Sequence, residues 1–202
     1  MQMAKQTKST KSAKVAKKSG SNSDSFVPED VMGAGESAFL NLKNSDEVKF
    51  RIISMPVIGW VAWDEDEEGN KKPTRTAIDD QPDMDAYDED NQPRKFMALI
   101  VIDRNDEDKK KVLELTQQSI IKAINALSSN PDWGKPFSYD INVVKKGEGL
   151  KTRYTVTPSP KKPLAKNVIR DAQEKPCNLD NYFEDKSPWE CEDGDETELF
   201  FK

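Results

Sequence analysis

A chain of 202 residues with 34% charged and 35% hydrophobic side chains is too polar to be packed core throughout, and no apolar run approaches the ~20 residues a membrane-spanning helix needs. With no histidine and two cysteines, Cys177 and Cys191, it lacks the usual general base and holds too few soft ligands for a structural zinc site. The N-terminus has no apolar stretch of the secretory kind, so a cytoplasmic protein without cofactor, metal or disulfide is expected.

Charge is segregated along the chain. Residues 1–20 carry six lysines and no acid, 64–91 carry twelve acids against three bases, and 176–202 carry nine acids against two bases. The remainder, 21–63 and 92–175, holds twenty bases and sixteen acids, a net of +4 within a chain of net −6. A mildly basic core with its acidity set apart in a loop and a tail is compatible with a polyanionic partner.

Residues 1–25, made of Lys, Ser, Thr, Ala and Gln, read as a disordered basic arm, either solubilising or sliding along phosphates. A short helix or docking segment is expected around 39–42. The alternation in VKFRII, 48–53, predicts a half-buried strand that Met55-Pro56 interrupts and 57–63 resumes, so the first strand is bent. Residues 64–94 read as a long acidic loop without the register of a calcium-binding loop. KFMALIVID, 95–103, is a strand, 104–108 a turn, and 111–115 the returning strand. In 117–127 the period changes to helical, with Ile120, Ile121, Ile124 and Leu127 on one face and Thr116 as N-cap. Strands over 137–145 and 151–157 follow, joined by a glycine-rich hairpin at 146–150. Pro158, Pro160 and Pro163 end the sheet, a short helix is expected over 164–174, and an acidic tail closes the chain.

Three strands, a helix and two strands is the order of the OB-fold: a mainly β, five-stranded barrel with one helix between its third and fourth strands, here flanked by disordered tails. The domains are then an arm over 1–25, a barrel over 26–175 and a tail over 176–202. A generic α+β domain with an antiparallel sheet is the alternative.

An OB barrel binds oligonucleotides on its second and third strands, between loops that fall here at 64–94 and 146–150. Single-strand binding needs cations for phosphates and flat rings for bases. The cations on offer are Lys49, Arg51, Arg94, Lys95, Lys111, Lys145, Lys146, Lys151, Arg153, Lys161 and Lys162. The aromatic candidates are Trp60, Trp63, Phe96 and Tyr154. Trp60 and Trp63 are three apart and point to opposite faces of an extended strand, so one belongs to the binding face and the other to the core. Phe50, between Lys49 and Arg51, reads as core, and Trp133 as a lid on the barrel. There is no phosphate-cradling glycine loop and no catalytic constellation, so an enzyme is not expected. In EDKSPWECEDGDETELFFK, Trp189, Glu196, Glu198, Leu199, Phe200 and Phe201 read as a docking peptide whose acids mimic DNA phosphates.

The runs VKFRIIS-x-PVIGWVAW, KKVLELTQQSIIKAI, DWGKPFSYDI and GEGLKTRYTVTPSPKKPL, within 48–164, resemble bacteriophage single-stranded DNA-binding (helix-destabilising) proteins. The resemblance implies an OB-fold and sequence-independent coating and protection of single-stranded DNA in replication, recombination and repair. It also implies a tail that contacts a polymerase, helicase or primase. The chain departs from the zinc-containing phage subgroup in having no histidine and no clustered cysteines, and it ends in Lys202 rather than on an acidic-aromatic terminus. An RNA-binding or RNA-chaperone OB protein, an interaction or virion protein without nucleic acid, and a metal-dependent nuclease built on the acidic loop remain open. Oligomeric state is not set by the sequence.

Overall fold

The computed structural model describes residues 38–202 apart from 43–44, 66–68 and 193. The basic arm expected over 1–25 lies outside them. The elements are β1 (Glu47–Ile52), β2 (Val57–Glu65), β3 (Lys71–Ala77), β4 (Arg94–Asp103), β5 (Lys109–Leu115), α1 (Gln118–Ser129), β6 (Ile141–Lys146), β7 (Arg153–Pro158) and α2 (Lys166–Gln173). The fold is mainly β, one antiparallel sheet in the order β3-β2-β4-β1-β6-β7 with β5 paired to β4.

The bent first strand is real: β2 pairs with the beginning of β4 (Val57 opposite Ala98) and β1 with its end (Ile52 opposite Val101). Around Pro56, which has no N–H to donate, the ladder is mended by Ser54. Its hydroxyl accepts the Ile100 N–H at 2.9 Å, and the Ile53 N–H donates to the Ile100 carbonyl at 3.0 Å.

Five strands become seven, partly because the region expected as a loop over 64–94 is not one. β2 runs to Glu65 and returns as β3, whose Pro73 is tolerated because β3 is an edge strand. Single 3₁₀ turns follow at Met84–Ala86 and Glu89–Asn91. Nor is the sheet closed into a barrel: among the described residues no ladder joins β5 to β7. The β5 edge away from β4 is taken by the segment expected to be a short helix. There the Val112 N–H donates to the Ala38 carbonyl at 3.0 Å, and the Leu40 N–H donates to the Val112 carbonyl at 2.9 Å. Helix α1 packs on both β7 and β5. It starts at Gln118, with Gln117 rather than Thr116 in the N-cap position and without a side-chain capping bond. Residues 137–140 are irregular rather than strand, and β6 begins only at Ile141. Trp133 does pack as a lid, edge-on to Tyr139 at 5.3 Å.

Strand β4 is buried on both faces. Met97, Leu99 and Val101 face α1 in a core with Phe50, Ile52, Leu113, Leu115, Ile120 and Ile141. Phe96, Ala98, Ile100 and Ile102 form a second core with Ile53, Val61, Val168, Leu179 and Tyr182. The segment 176–202, expected as a disordered tail, covers this second face. Cys177, Leu179 and Tyr182 are buried, and burial pushes the Cys177 thiol up to about 12. Leu199 bridges to Ser54, the Phe200 N–H donates to the Ile53 carbonyl at 2.7 Å, and the Phe200 ring stacks on Phe137 at 4.7 Å. Lys110 fastens the cover from β5, donating to the carbonyls of Ala172 and Lys175. The physical reason is the run FMALIVI. Apolar on both faces, it needs two covers, and the aromatic residues of the acidic segment supply part of the second.

Phe200→Ala should therefore destabilise the protein, by about 2 kcal/mol, below the roughly 3–5 kcal/mol of a fully buried phenylalanine because this ring is only partly buried. A urea melt checks this; an unchanged midpoint would mean the C-terminal residues hang free.

Candidate nucleic-acid interface

Three residues expected at the interface are turned inward. Arg51 is 1% exposed, with Nη2 at 2.7 Å and Nε at 2.8 Å from Asp140 Oδ1, and Nη1 donating to the Phe137 carbonyl. Burial lowers its pKa, and the Asp140 carboxylate opposes that shift. Asp140 also lies 3.4 Å from Arg104 and 3.7 Å from Lys49, so one carboxylate gathers three cations. Lys111 lies on the same face of the sheet as Val101 and Leu113 and donates to Asp103 at 2.9 Å and Asp106 at 2.6 Å. The bond from Lys111, with one from Lys109, holds the Asp106 carboxyl below its ordinary pKa. Phe96 is fully buried beside Tyr182 and Phe183, with ring centroids 6.0 and 6.2 Å away. The alternation rule placed these side chains as though one face of the sheet met water; both faces are covered.

Of the two tryptophans, Trp63 is the outward one, 52% exposed. Val61 lies opposite Arg94 in the β2–β4 ladder, and Trp63, two residues on, shares that face. Trp63 and Arg94 line a groove of about 370 Å³ with Phe39, Asn91, Gln92 and Gln117. Glu114 also reaches it but is paired to Arg75 at 2.9 Å, and Arg75 lies over the Tyr182 ring. Trp60 falls on the opposite face, as the spacing requires, but is half-buried rather than core. Its indole N–H donates to the Ile78 carbonyl at 3.1 Å, and Lys95, opposite in the ladder, holds its ammonium 5.0 Å from the ring centre.

The second set lies on the β6–β7 hairpin. Lys146 stands opposite Arg153, both exposed, and Arg153, Thr155 and Thr157 project from the same side of β7. Lys49, 43% exposed at its side chain, lies opposite Asn142 on the neighbouring β1. Lys145 lies opposite Tyr154, whose half-buried ring packs on the first core rather than standing out as a platform. Lys151 is exposed in the turn beyond. The Lys161 ammonium donates to the Asp132 carbonyl at 2.8 Å, and Lys162 is exposed. By register the two sets lie toward opposite ends of β4, the groove at Arg94 and the hairpin beyond Asp103. An apolar groove of about 450 Å³ lies between α1 and the β1–β2 bend, lined by Met55, Ile58, Met97, Ile121 and Phe137.

Phe39, Asn91, Gln92 and Gln117 were not legible as site residues. They come from an irregular segment, a 3₁₀ turn and a helix N-cap, none of which has a period to read. Of the six C-terminal candidates, Glu196 and Glu198 are exposed. Trp189 is half-buried with its indole N–H unpartnered, and Leu199, Phe200 and Phe201 pack against the two cores.

No family model and no solved structure matches the chain. A protein of Escherichia phage T5 described as a probable ssDNA-binding protein is 38% identical over 65 residues, 32% of this chain and 24% of that protein. The match thus spans about a quarter of the length of that relative.

The Asp140 cluster gives a stability expectation. Asp140→Ala leaves the Arg51 guanidinium buried and unpaired and should cost about 3–5 kcal/mol, whereas Lys146→Ala should stay within about 0.5 kcal/mol. Denaturant midpoints for the two variants distinguish a structural arginine from a surface one.

Proposed function

We propose that the protein binds single-stranded DNA without catalysis, stacking bases at the Trp63 groove and holding phosphates along the β6–β7 hairpin. The observation that carries this reading is the exposed Trp63 ring beside the exposed Arg94, walled by Phe39 and by Asn41, Asn91, Gln92 and Gln117. A flat apolar face next to a cation is what an unpaired base and its phosphate require, and it is tolerant of sequence because every base has a π-face. The phage T5 relative, described as a probable ssDNA-binding protein, supports the same ligand.

The strand order supports an OB-type relationship. A bent strand shared along β4, a helix after β5 and a closing β6–β7 hairpin repeat that order. On this reading β3 is an insertion, and the barrel is left open where residues 38–40 occupy the β5 edge. In the cell such a protein coats and protects single strands during replication, recombination and repair, the phage setting being the one the resemblance suggests. A polymerase, helicase or primase would meet the exposed Glu196 and Glu198 first, and the packed aromatic residues only if the C-terminal cover lifted.

Binding should be salt-sensitive. About four to five phosphate contacts give a slope of log affinity against log salt near roughly −3. Trp63→Ala should lose about 1–3 kcal/mol of binding to oligo-dT while remaining folded. Titrations of oligo-dT, oligo-U and duplex at several salt concentrations test this. Tighter binding to oligo-U moves the reading to RNA, and equal affinity means that the 2′-hydroxyl is not discriminated. A flat salt response or an unaffected Trp63 variant removes the groove from the interface.

A further inference from the structure

The tip of the β6–β7 hairpin carries an apolar side chain held out in water. Leu150 is fully exposed, at 102%, the most exposed large hydrophobic residue among those described. Isolated apolar residues on a surface are common and ordinarily call for no explanation. This one differs in how it is mounted and in what surrounds it.

The mount is a hydrogen-bonded turn. Residues Gly149–Lys151 form one turn of 3₁₀ helix. The Lys151 N–H donates to the Glu148 carbonyl at 3.1 Å, and both the Thr152 N–H (3.2 Å) and its hydroxyl (2.8 Å) donate to the Gly149 carbonyl. Gly147 has φ +80, and a Cβ there would lie 2.6 Å from the Lys151 carbonyl oxygen, so the turn is built where only glycine fits. Leu150 is thus presented at a defined point.

The surroundings are cationic. Residues 145–153 hold Lys145, Lys146, Lys151 and Arg153 against Glu148, a net of +3 in a chain of net −6. An apolar knob ringed by positive charge fits a polyanion with apolar faces between its charges, which describes stacked bases along a phosphate backbone. Leucine is among the side chains that enter base steps and partly unstack them, while neighbouring cations hold the flanking phosphates. An anionic lipid surface shares the charge, but one leucine buries far less than an acyl chain, and even a single acyl chain gives only marginal membrane binding.

We propose that Leu150 is a strand-separating wedge. At a junction between single and double strands, Lys146, Lys151 and Arg153 hold phosphates and Leu150 enters the first base step, so the protein opens duplex ends as well as holding what has been opened. The proposal rests on the single-strand reading above. It adds a separate residue and needs no fuel beyond binding.

The experiment compares the full chain with Leu150→Ser and Leu150→Phe. The probes are oligo-dT, a forked duplex with a fluorescent purine analogue at the first paired position, and vesicles of phosphatidylserine and phosphatidylcholine. Oligo-dT affinity should be equal within about twofold in all three proteins, because the phosphate contacts are retained. At equal occupancy of the fork, the parent and Leu150→Phe should brighten the analogue severalfold, and Leu150→Ser should leave it near the level of free duplex. Equal brightening by Leu150→Ser overturns the wedge and leaves single-strand binding standing. Failure of all three proteins to bind oligo-dT overturns both. Vesicle binding that Leu150→Ser abolishes, with the fork signal unchanged, assigns the tip to a lipid surface and also overturns the wedge.

Discussion

Strand β4 has no side facing water from Phe96 to Asp103, and most of the architecture answers to that constraint. A central strand apolar on both faces cannot be stabilised by one layer. Helix α1 supplies one cover, and α2 with the C-terminal segment supplies the other. Neighbouring details serve the same end. Gly59 in β2 has no side chain because a Cβ would sit 2.2 Å from the Thr76 carbonyl and within 3 Å of the Phe96 and Phe183 rings. The strands and the C-terminal cover close over that point.

Charges inside such a structure need partners, and they are found by sharing. Asp140 collects Arg51, Arg104 and Lys49. Lys111 bridges Asp103 and Asp106 at the end of the first core. Lys110, its pKa lowered by burial, donates hydrogen bonds to the carbonyls of Ala172 and Lys175 and lies 6.0 Å from the centre of the Trp189 ring. Several cations that looked like phosphate ligands in the sequence are therefore fasteners. Of the candidate cations that stay exposed, Lys146, Lys151 and Arg153 lie on the hairpin, Arg94 beside Trp63 and Lys162 apart from both, which is why the candidate interface is smaller and more divided than the run of basic residues suggests.

The legible parts of the sequence were those governed by local periodicity. The bend at Met55-Pro56, strand β4, the helix after β5 and the glycine-rich hairpin all follow from alternation, helical spacing or turn chemistry. The opposite facing of Trp60 and Trp63 follows from the same rule. What was not legible depends on partners distant in sequence. Arg51 and Asp140 are 89 residues apart, and nothing in KFR distinguishes a buried arginine from an exposed one. β3 was hidden by composition, since KKPTRTA after an acidic run has the charge of a loop and becomes a strand only because β2 is there to pair with it. The aromatic end of the chain read as a docking peptide because its packing partners, Phe137 and the second face of β4, lie far upstream.

The placement of the second cover has a consequence for how the protein is made. Beyond the neighbouring strand residues Ile53, Val61 and Val112, the cover over Phe96, Ala98, Ile100 and Ile102 comes from residue 164 onward and reaches Leu199 and Phe201. The sheet is complete by Pro158, yet that face stays bare until the covering residues from Leu164 to Phe201 have left the ribosome. During synthesis the nascent chain carries an exposed apolar strip, a target for chaperones and for its own neighbours on a polysome. A product that stopped after Pro158 would be complete in its sheet and still sticky on that face.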